Sequence, residues 1–328
     1  MAPGGLRQHD HPDDGCGTGR AVRPLAAGEV VLQGVAAVTP WAQYVVGGLA
    51  AGSLYALVAL GIVLLYRSSR VLNFAHGEMA TLATFVAFTL IGRAVPFGVA
   101  VAVGLAVSAL VGAAFYFVVI RPAKEGTLLG KIVMTLGLAL LLGGAVQVVW
   151  GTETQIFPFP LSDTRVYRLG AVVVSEIHLG TIGAGLALMT ALFVLVHHTG
   201  VGLAMRAVAQ NPAAAQALGI PARRIYALTW GLASALGGAA GVLLAPVVYL
   251  DPFMMLDPFL KGFAAAVMGG MDSLPGAVVG GLLLGVGEVL FAGYVSFKFK
   301  TTLAFALIVL VLLVRPEGLL GHEYRRRV

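Results

Sequence analysis

The sequence predicts an all-α fold, a polytopic membrane bundle of about 8–9 transmembrane helices. Three observations predict it. Hydrophobic residues make up 59% of the 328 residues and charged residues only 11%, against about 25% charged in an average soluble protein. So few charges cannot cover a soluble globule of this size, and the excess apolar surface needs a bilayer. From Trp41 onward the chain is a succession of long apolar stretches. Glycine, with 44 copies, is as frequent as membrane helices make it. The apolar fraction excludes disorder and collagen, and the single cysteine, Cys16, excludes an intrachain disulfide scaffold. The net charge of +6 lies in short basic clusters between apolar runs. That is the pattern of a topology signal rather than of a nucleic-acid surface.

Residues 1–40 stand apart as a polar, disordered tail with no apolar core of signal-peptide length before Val30. His9, Asp10, His11, Asp13, Asp14 and Cys16 gather there, but no spacing among them fixes a coordination geometry. The membrane domain covers 41–321, and 322–328 form a basic cytoplasmic tail. Within the domain the apolar stretches run at 41–66, 71–91, 96–120, 132–150, 180–198, 225–250, 259–272, 276–296 and 297–314. The first six are long enough to cross. The 259–272 stretch is short, as a re-entrant or half helix would be. Lys298 and Lys300 stand near one end of the last stretch, where they snorkel to the interface.

Orientation follows from the short loops. If Arg67 and Arg70 face the cytoplasm, so do Arg121, Lys124, Lys131, Arg206, Arg223, Arg224, Arg315 and Arg325 to Arg327. The other side receives Arg93, Arg165, Arg168, Lys261, Lys298 and Lys300. This two-to-one bias places the C-terminus inside, and nine spans then place the N-terminal tail outside. Of the two long connections, 151–179 is outside, with a small hairpin suggested by alternation over Tyr167–Val174. The other, 199–224, is cytoplasmic. Its Ala-rich Ala204–Leu218 predicts a short helix, with Asn211 as cap, Pro212 in the first turn and Gly219 as the stop.

Small residues recur four apart at Gly48/Gly52, Gly237/Gly241, Gly276/Gly280 and Gly281/Gly285. Each pair opens one helix face to close backbone approach, so the bundle is tight. Ionisable groups inside spans are costly and mark pathways or gates. His76 and Glu78 follow Asn73 at the start of the second span. Glu288 lies some 12 residues into 276–296, about half-way across at about 1.5 Å per residue. The alternative for Glu78 is a carboxylate at headgroup level, and for the whole group a role in fixing helix ends. Nothing points to an enzyme, and no catalytic, cofactor or metal residue is assigned. Gly130-Lys131 approaches a P-loop, but Glu125 holds the first glycine position and Ile132 the hydroxyl position. His197 and His198 are adjacent, about 100° apart on a helix, and make no metal pair. What remains is a pore, a secondary carrier, or the membrane half of an ATP-driven transporter.

Leu72-Asn73-Phe74-Ala75-His76-Gly77-Glu78 resembles the N-F-A-H-G-E signature of the branched-chain amino acid ABC permeases of the Liv type. Ser53-Leu54-Tyr55-Ala56-Leu57 through Tyr66 is similar to that family's first span. Gly269 to Ala277, with Gly280-Gly281, and Arg315-Pro316-Glu317-Gly318-Leu319-Leu320-Gly321 resemble its later segments. Met205-Arg206-Ala207 through Ile220 resembles its cytoplasmic coupling loop, without the Glu of the E-A-A motif. The resemblance implies an inner-membrane subunit of an ABC importer, working by alternating access. It would carry leucine, isoleucine, valine or a related solute and bind no cofactor itself, ATP being used by partner subunits. Those partners would be a second permease chain, two cytoplasmic ATPases and an extracytoplasmic binding protein, with lipid around the bundle and no nucleic acid. Asn73, His76, Glu78 and Glu288 would line or gate the substrate path. Arg206, Ala214, Leu218, Gly219, Arg223 and Arg224 would form the ATPase coupling loop. Urea or a short amide is an alternative substrate. A secondary carrier is an alternative mechanism, with breaks at Gly77 and at Gly269–Gly276 in the place of its interrupted helices.

Overall fold

The computed structural model describes residues 40–123, 127–162, 164–169 and 172–321. The N-terminal acidic and histidine cluster, Lys124, Glu125 and the 322–328 tail lie outside the described residues. The fold is all-α and polytopic. Six of its helices are long and apolar enough to cross a membrane.

Helix α1 (Pro40–Ser69) is the centre of the bundle. Around it stand α2 (His76–Gly92), α3 (Phe97–Phe115, whose last turn widens into a π-helical turn at Tyr116–Ile120) and α4 (Leu128–Trp150). A hairpin, β1 (Val166–Leu169) paired antiparallel with β2 (Val172–Ser175), leads into α5 (Glu176–His198). Gln43 of α1 ties that hairpin down. Its amide donates to the Val173 carbonyl at 2.6 Å and accepts from the Val173 N–H at 3.0 Å. Two short helices follow, α6 (Gly200–Gln210) and α7 (Pro212–Ala217). Then come α8 (Ala222–Val248), α9 (Leu256–Gly269), α10 (Leu274–Tyr294) and α11 (Lys300–Val314).

Helices form where the sequence places apolar stretches, with three differences. The 71–91 stretch becomes helical only at His76, so Val71–Ala75 is irregular. The single helix expected over Ala204–Leu218 is two, because Asn211 leaves the helical region (φ −152°, ψ 99°) and starts α7 afresh. Its side chain accepts from the N–H groups of Ala213 and Ala214 at 3.1 and 3.0 Å, and Pro212 follows in the first turn. Gly219, at φ 84°, closes that turn. The third difference concerns Lys261. Expected in the outer loops, it lies inside the bundle at 3% exposure.

Glycine sets the closest helix contacts. α1 and α10 pack antiparallel, and a Cβ on Gly48 would lie 2.6 Å from Val286 Cα and one on Gly52 2.9 Å from Leu282 Cα. Gly281 and Gly285 face α1 in return, against Ala56 and Gly52. Gly237 and Gly241 of α8 face α2, and Gly276 and Gly280 of α10 face Gly269 and Ala265 of α9. Backbones at this separation gain dispersion contacts that a methyl group would forbid.

The two shortest buried helices define the interior. Arg70, at φ 53°, ends α1, and the chain turns back into the bundle. α2 therefore begins deep, with the His76 ring beside Gly61, which stands eight residues, or about 12 Å, before the end of α1. α9 begins beside it, since Gly77 packs on Met255 and Phe259. From this shared level the two helices diverge. α2 runs toward the end where Trp150 Nε1 donates to Thr89 Oγ1 at 2.7 Å. α9 runs toward the end where Asp272 pairs with Arg70 at 2.8 Å and where Leu319 and Leu320 donate to the carbonyls of Met268 and Gly269.

Candidate functional site: a charged chain where two half-length helices meet

Irregular backbone inside an apolar bundle must find hydrogen bonds within the protein. Thr135 of α4 supplies one, its hydroxyl oxygen accepting from the Phe74 N–H at 3.3 Å, while its single proton is shared between the carbonyls of Ile132 at 2.8 Å and Leu72 at 3.2 Å. Asn73 supplies another, its Oδ1 accepting from the Ala75 N–H at 3.0 Å. Asn73 is thus a local turn-former, buried at the entrance to α2.

His76 opens α2 and is buried. Its ring occupies a slot between α1 and α8 that exists because Gly61 and Gly237 have no side chains. A Cβ at Gly61 would lie 2.7 Å from His76 Nε2, and one at Gly237 2.9 Å. Nε2 has no hydrogen-bond partner among the described residues. Glu78, two residues later and so on the other side of the helix, is half-buried and points toward α4, near Gly143. Its Oε2 is likewise unpartnered among the described residues. Asn73 precedes the helix that His76 opens, so the two side chains do not share a helical face.

Glu288 belongs to a different constellation. It lies on α10 at 3% exposure and is met from two sides. Tyr55 of α1 donates its hydroxyl to Oε2 at 2.8 Å, and Lys261 of α9 places Nζ 2.6 Å from Oε1. Lys261 Nζ also lies 2.7 Å from Asp257 Oδ2 and 5.5 Å from the centre of the Tyr55 ring. The four side chains form a line, Tyr55–Glu288–Lys261–Asp257, of which three members are buried and Asp257 is 57% exposed. Buried charges persist only when paired and hydrogen-bonded, and each buried member here has that pairing. Glu78 and Asp257 both stand in the first turn of a helix that starts inside the bundle. Their charge suits the positive ends of the two helix dipoles.

Tyr55, Asp257 and Lys261 carry no role in the sequence reading. The signal for them is present in the sequence. An acid in mid-bundle calls for a base, and Asp257 and Lys261 stand at i, i+4, the spacing that joins side chains on one helix face.

The profile of the branched-chain amino acid transport system / permease component family matches residues 44–314, nearly all of the described helices. The chain belongs to this family. It is 32% identical to the high-affinity branched-chain amino acid transport system permease protein LivH of Salmonella typhimurium, over 87% of this chain and 97% of that one. It is 32% identical to BraD of Pseudomonas aeruginosa over the same shares, and 29% identical to a probable LivH of Methanocaldococcus jannaschii over 85% and 92%. The permease is a multi-pass membrane protein. The charged line thus lies in the interior of a transport subunit, and its exposed end opens on a face of α9.

At the basic end of the permease, α7 projects. Apart from Ala215 its residues are exposed, and Leu218, which follows it, is 82% exposed. Ala214, Gly219, Arg223 and Arg224 are exposed beside it, while Arg206, on α6, reaches the His197 carbonyl at 3.5 Å.

Proposed function

We propose that this permease is the translocating subunit of an ABC importer for branched-chain amino acids or a closely related small solute, set in the cell's inner or plasma membrane. The match to branched-chain amino acid permeases over nearly the full length of both chains carries the reading. The subunit pairs with a second permease chain, two cytoplasmic ATPases and a binding protein, and hydrolyses no ATP itself. The bundle makes nine traverses. Six are helices long and apolar enough to cross, and α2, α9 and α11 are shorter helices whose crossings are completed by the segments beside them.

The path runs along the exposed face of α9, where Asp257 stands. A carboxylate at that depth is costly against lipid, so the face belongs to water, substrate or the partner permease. Asn73, His76, Glu78 and Glu288 act as its gate, since Asn73, His76 and Glu288 are buried in this conformation. The α6–α7 connection is the ATPase coupling element, with Leu218 and Gly219 at its tip and Arg206, Arg223 and Arg224 behind. ATPase closure pushes on it and shifts the helices to alternate access.

Uptake of radiolabelled leucine, isoleucine, valine, urea and acetamide by proteoliposomes of the assembled complex tests both substrate and drive. ATP-dependent uptake of the amino acids is the expected result. Uptake of urea or acetamide alone moves the substrate assignment. Uptake by this chain alone, without ATPases, makes it a secondary carrier.

A further inference from the structure

A crevice between α1, α5 and α10 has no part in the path described above. Its upper part is an apolar groove of about 370 Å³, lined among others by Leu60, Met189, Phe193, Val278 and Val279. Phe193 and Val279 are exposed, so the groove opens sideways from the bundle. Its lower part is a polar cleft of about 420 Å³, lined by Arg67, Arg70, Arg206, Gln210 and Asp272. Leu274 and Pro275 line both, which makes them consecutive along one crevice.

Position and charge fit together. Leu60 stands nine residues before the end of α1, about 14 Å, so the groove spans roughly one leaflet's depth of hydrocarbon. The cleft sits at the end where Arg121, Lys131, Arg223 and Arg315 also gather, the cytoplasmic end by the distribution of basic loops. Three guanidinium groups and one carboxylate line it, an excess of two positive charges. Asp272 answers Arg70 at 2.8 Å. Arg67, half-buried, has no ion pair among the described residues. A half-buried guanidinium over an apolar groove suits an anionic oxygen carried on an apolar tail.

We propose that this crevice binds an anionic phospholipid of the cytoplasmic leaflet, with its headgroup phosphate on Arg67 and Arg206 and an acyl chain along α5 and α10. Basic pockets between membrane helices on this side have the chemistry to hold such headgroups. A free phosphate would use the cleft and leave the groove empty. A covering protein would need an acidic side chain at the cleft and apolar ones at bilayer depth.

The test uses the assembled transporter in nanodiscs, with phosphatidylglycerol carrying a photoactivatable group on its acyl chain. Crosslinks are expected on Met189, Phe193 or Val278. Unlabelled phosphatidylglycerol should displace them, while phosphatidylcholine and inorganic phosphate should not. R67Q/R206Q should weaken labelling about thirtyfold, from about 1 kcal/mol for each lost charge, and R67K/R206K should retain most of it. A phosphatidylcholine probe labelling equally well would overturn the proposal. So would R67Q/R206Q labelling undiminished while folded by its melting curve, displacement by inorganic phosphate, or crosslinks from these positions to another subunit.

Discussion

Lys261 Nζ lies 2.6 Å from Glu288 Oε1, with both side chains inside the bundle. The pair joins α9 to α10, and Tyr55 extends it to α1. Three helices thus share one electrostatic contact, and α9, a helix of 14 residues, has it as its polar anchor. Removing Lys261 leaves the Glu288 charge uncompensated in a low-dielectric interior, which costs more than the pair contributes when intact, whereas removing Glu288 leaves Lys261 paired with Asp257 alone.

Lys261→Ala should therefore destabilise the permease by roughly 3–5 kcal/mol, and Glu288→Ala by less, because Asp257 still pairs with Lys261 at 2.7 Å. Glu288→Gln, whose one oxygen can accept from Lys261 while its NH2 donates to the Tyr55 hydroxyl oxygen, should cost less still. Replacing both partners, as Lys261→Met/Glu288→Met, should recover much of the loss, because the uncompensated charge goes with them. Thermal unfolding in detergent of Lys261→Met, Glu288→Met and the double measures the coupling. Additive effects in that cycle would mean that the contact carries no interaction energy.

The His76 slot makes a second prediction. Gly61→Ala puts a methyl group where the His76 imidazole lies and 3.1 Å from the Ala233 carbonyl oxygen. Overpacking of this kind costs typically about 1–3 kcal/mol. Transport should fall together with stability. His76→Ala empties the slot, so in a His76→Ala background the Gly61→Ala change should be nearly silent. An equal penalty with and without the imidazole would place the strain elsewhere.

How much of this was legible in the sequence depends on which force decides each feature. Nine apolar stretches became helices because bilayer depth and apolar composition dictate them locally. Asn211, Pro212 and Gly219 were legible as cap, first turn and stop because each acts on its own backbone. The start of α2 was not. Residues 71–75 are apolar enough to continue a span, and only the tertiary slot at Gly61 and Gly237, with Thr135 from α4, draws them inward as irregular chain. Lys261 was misplaced for a related reason. A lysine near the edge of an apolar stretch reads as a loop charge until its partner, 27 residues away, is brought beside it. Glu288 was legible as an interior acid, but not the company it keeps.

The projecting α7 gives the third prediction. Leu218 is apolar yet 82% exposed at the tip of the basic end, as a knob awaiting a socket would be. Leu218→Asp, or Ala214→Trp, should leave insertion and folding intact, since both side chains are exposed among the described residues. In the assembled complex, ATP hydrolysis should lose its dependence on loaded binding protein, and uptake should fall by at least about tenfold, the factor for about 1.4 kcal/mol. Normal coupling in both variants would remove α7 from the ATPase contact.

The last prediction concerns the gate. The chain has one native cysteine, Cys16, so a Cys16→Ser background allows single reporters. Asp257 is exposed, whereas Asn73, His76 and Glu288 are buried. Cysteine at 257 should react with a water-soluble thiol reagent in the resting transporter if its face lines an aqueous path. Cysteines at 73 and 76 should be protected at rest and labelled only when ATP and loaded binding protein drive turnover. At 288 a cysteine takes away the buried one of the two carboxylates on Lys261, so that position is read in a Lys261→Met background. Substrate should slow labelling at 257, because an amino acid in the path covers the site. The protected positions distinguish two readings of the buried residues. A gate exposes them during the cycle, whereas packing keeps them closed throughout. Turnover that leaves 73, 76 and 288 all unlabelled, with transport intact in their cysteine variants, would assign them to the scaffold and leave the path to the Asp257 face alone.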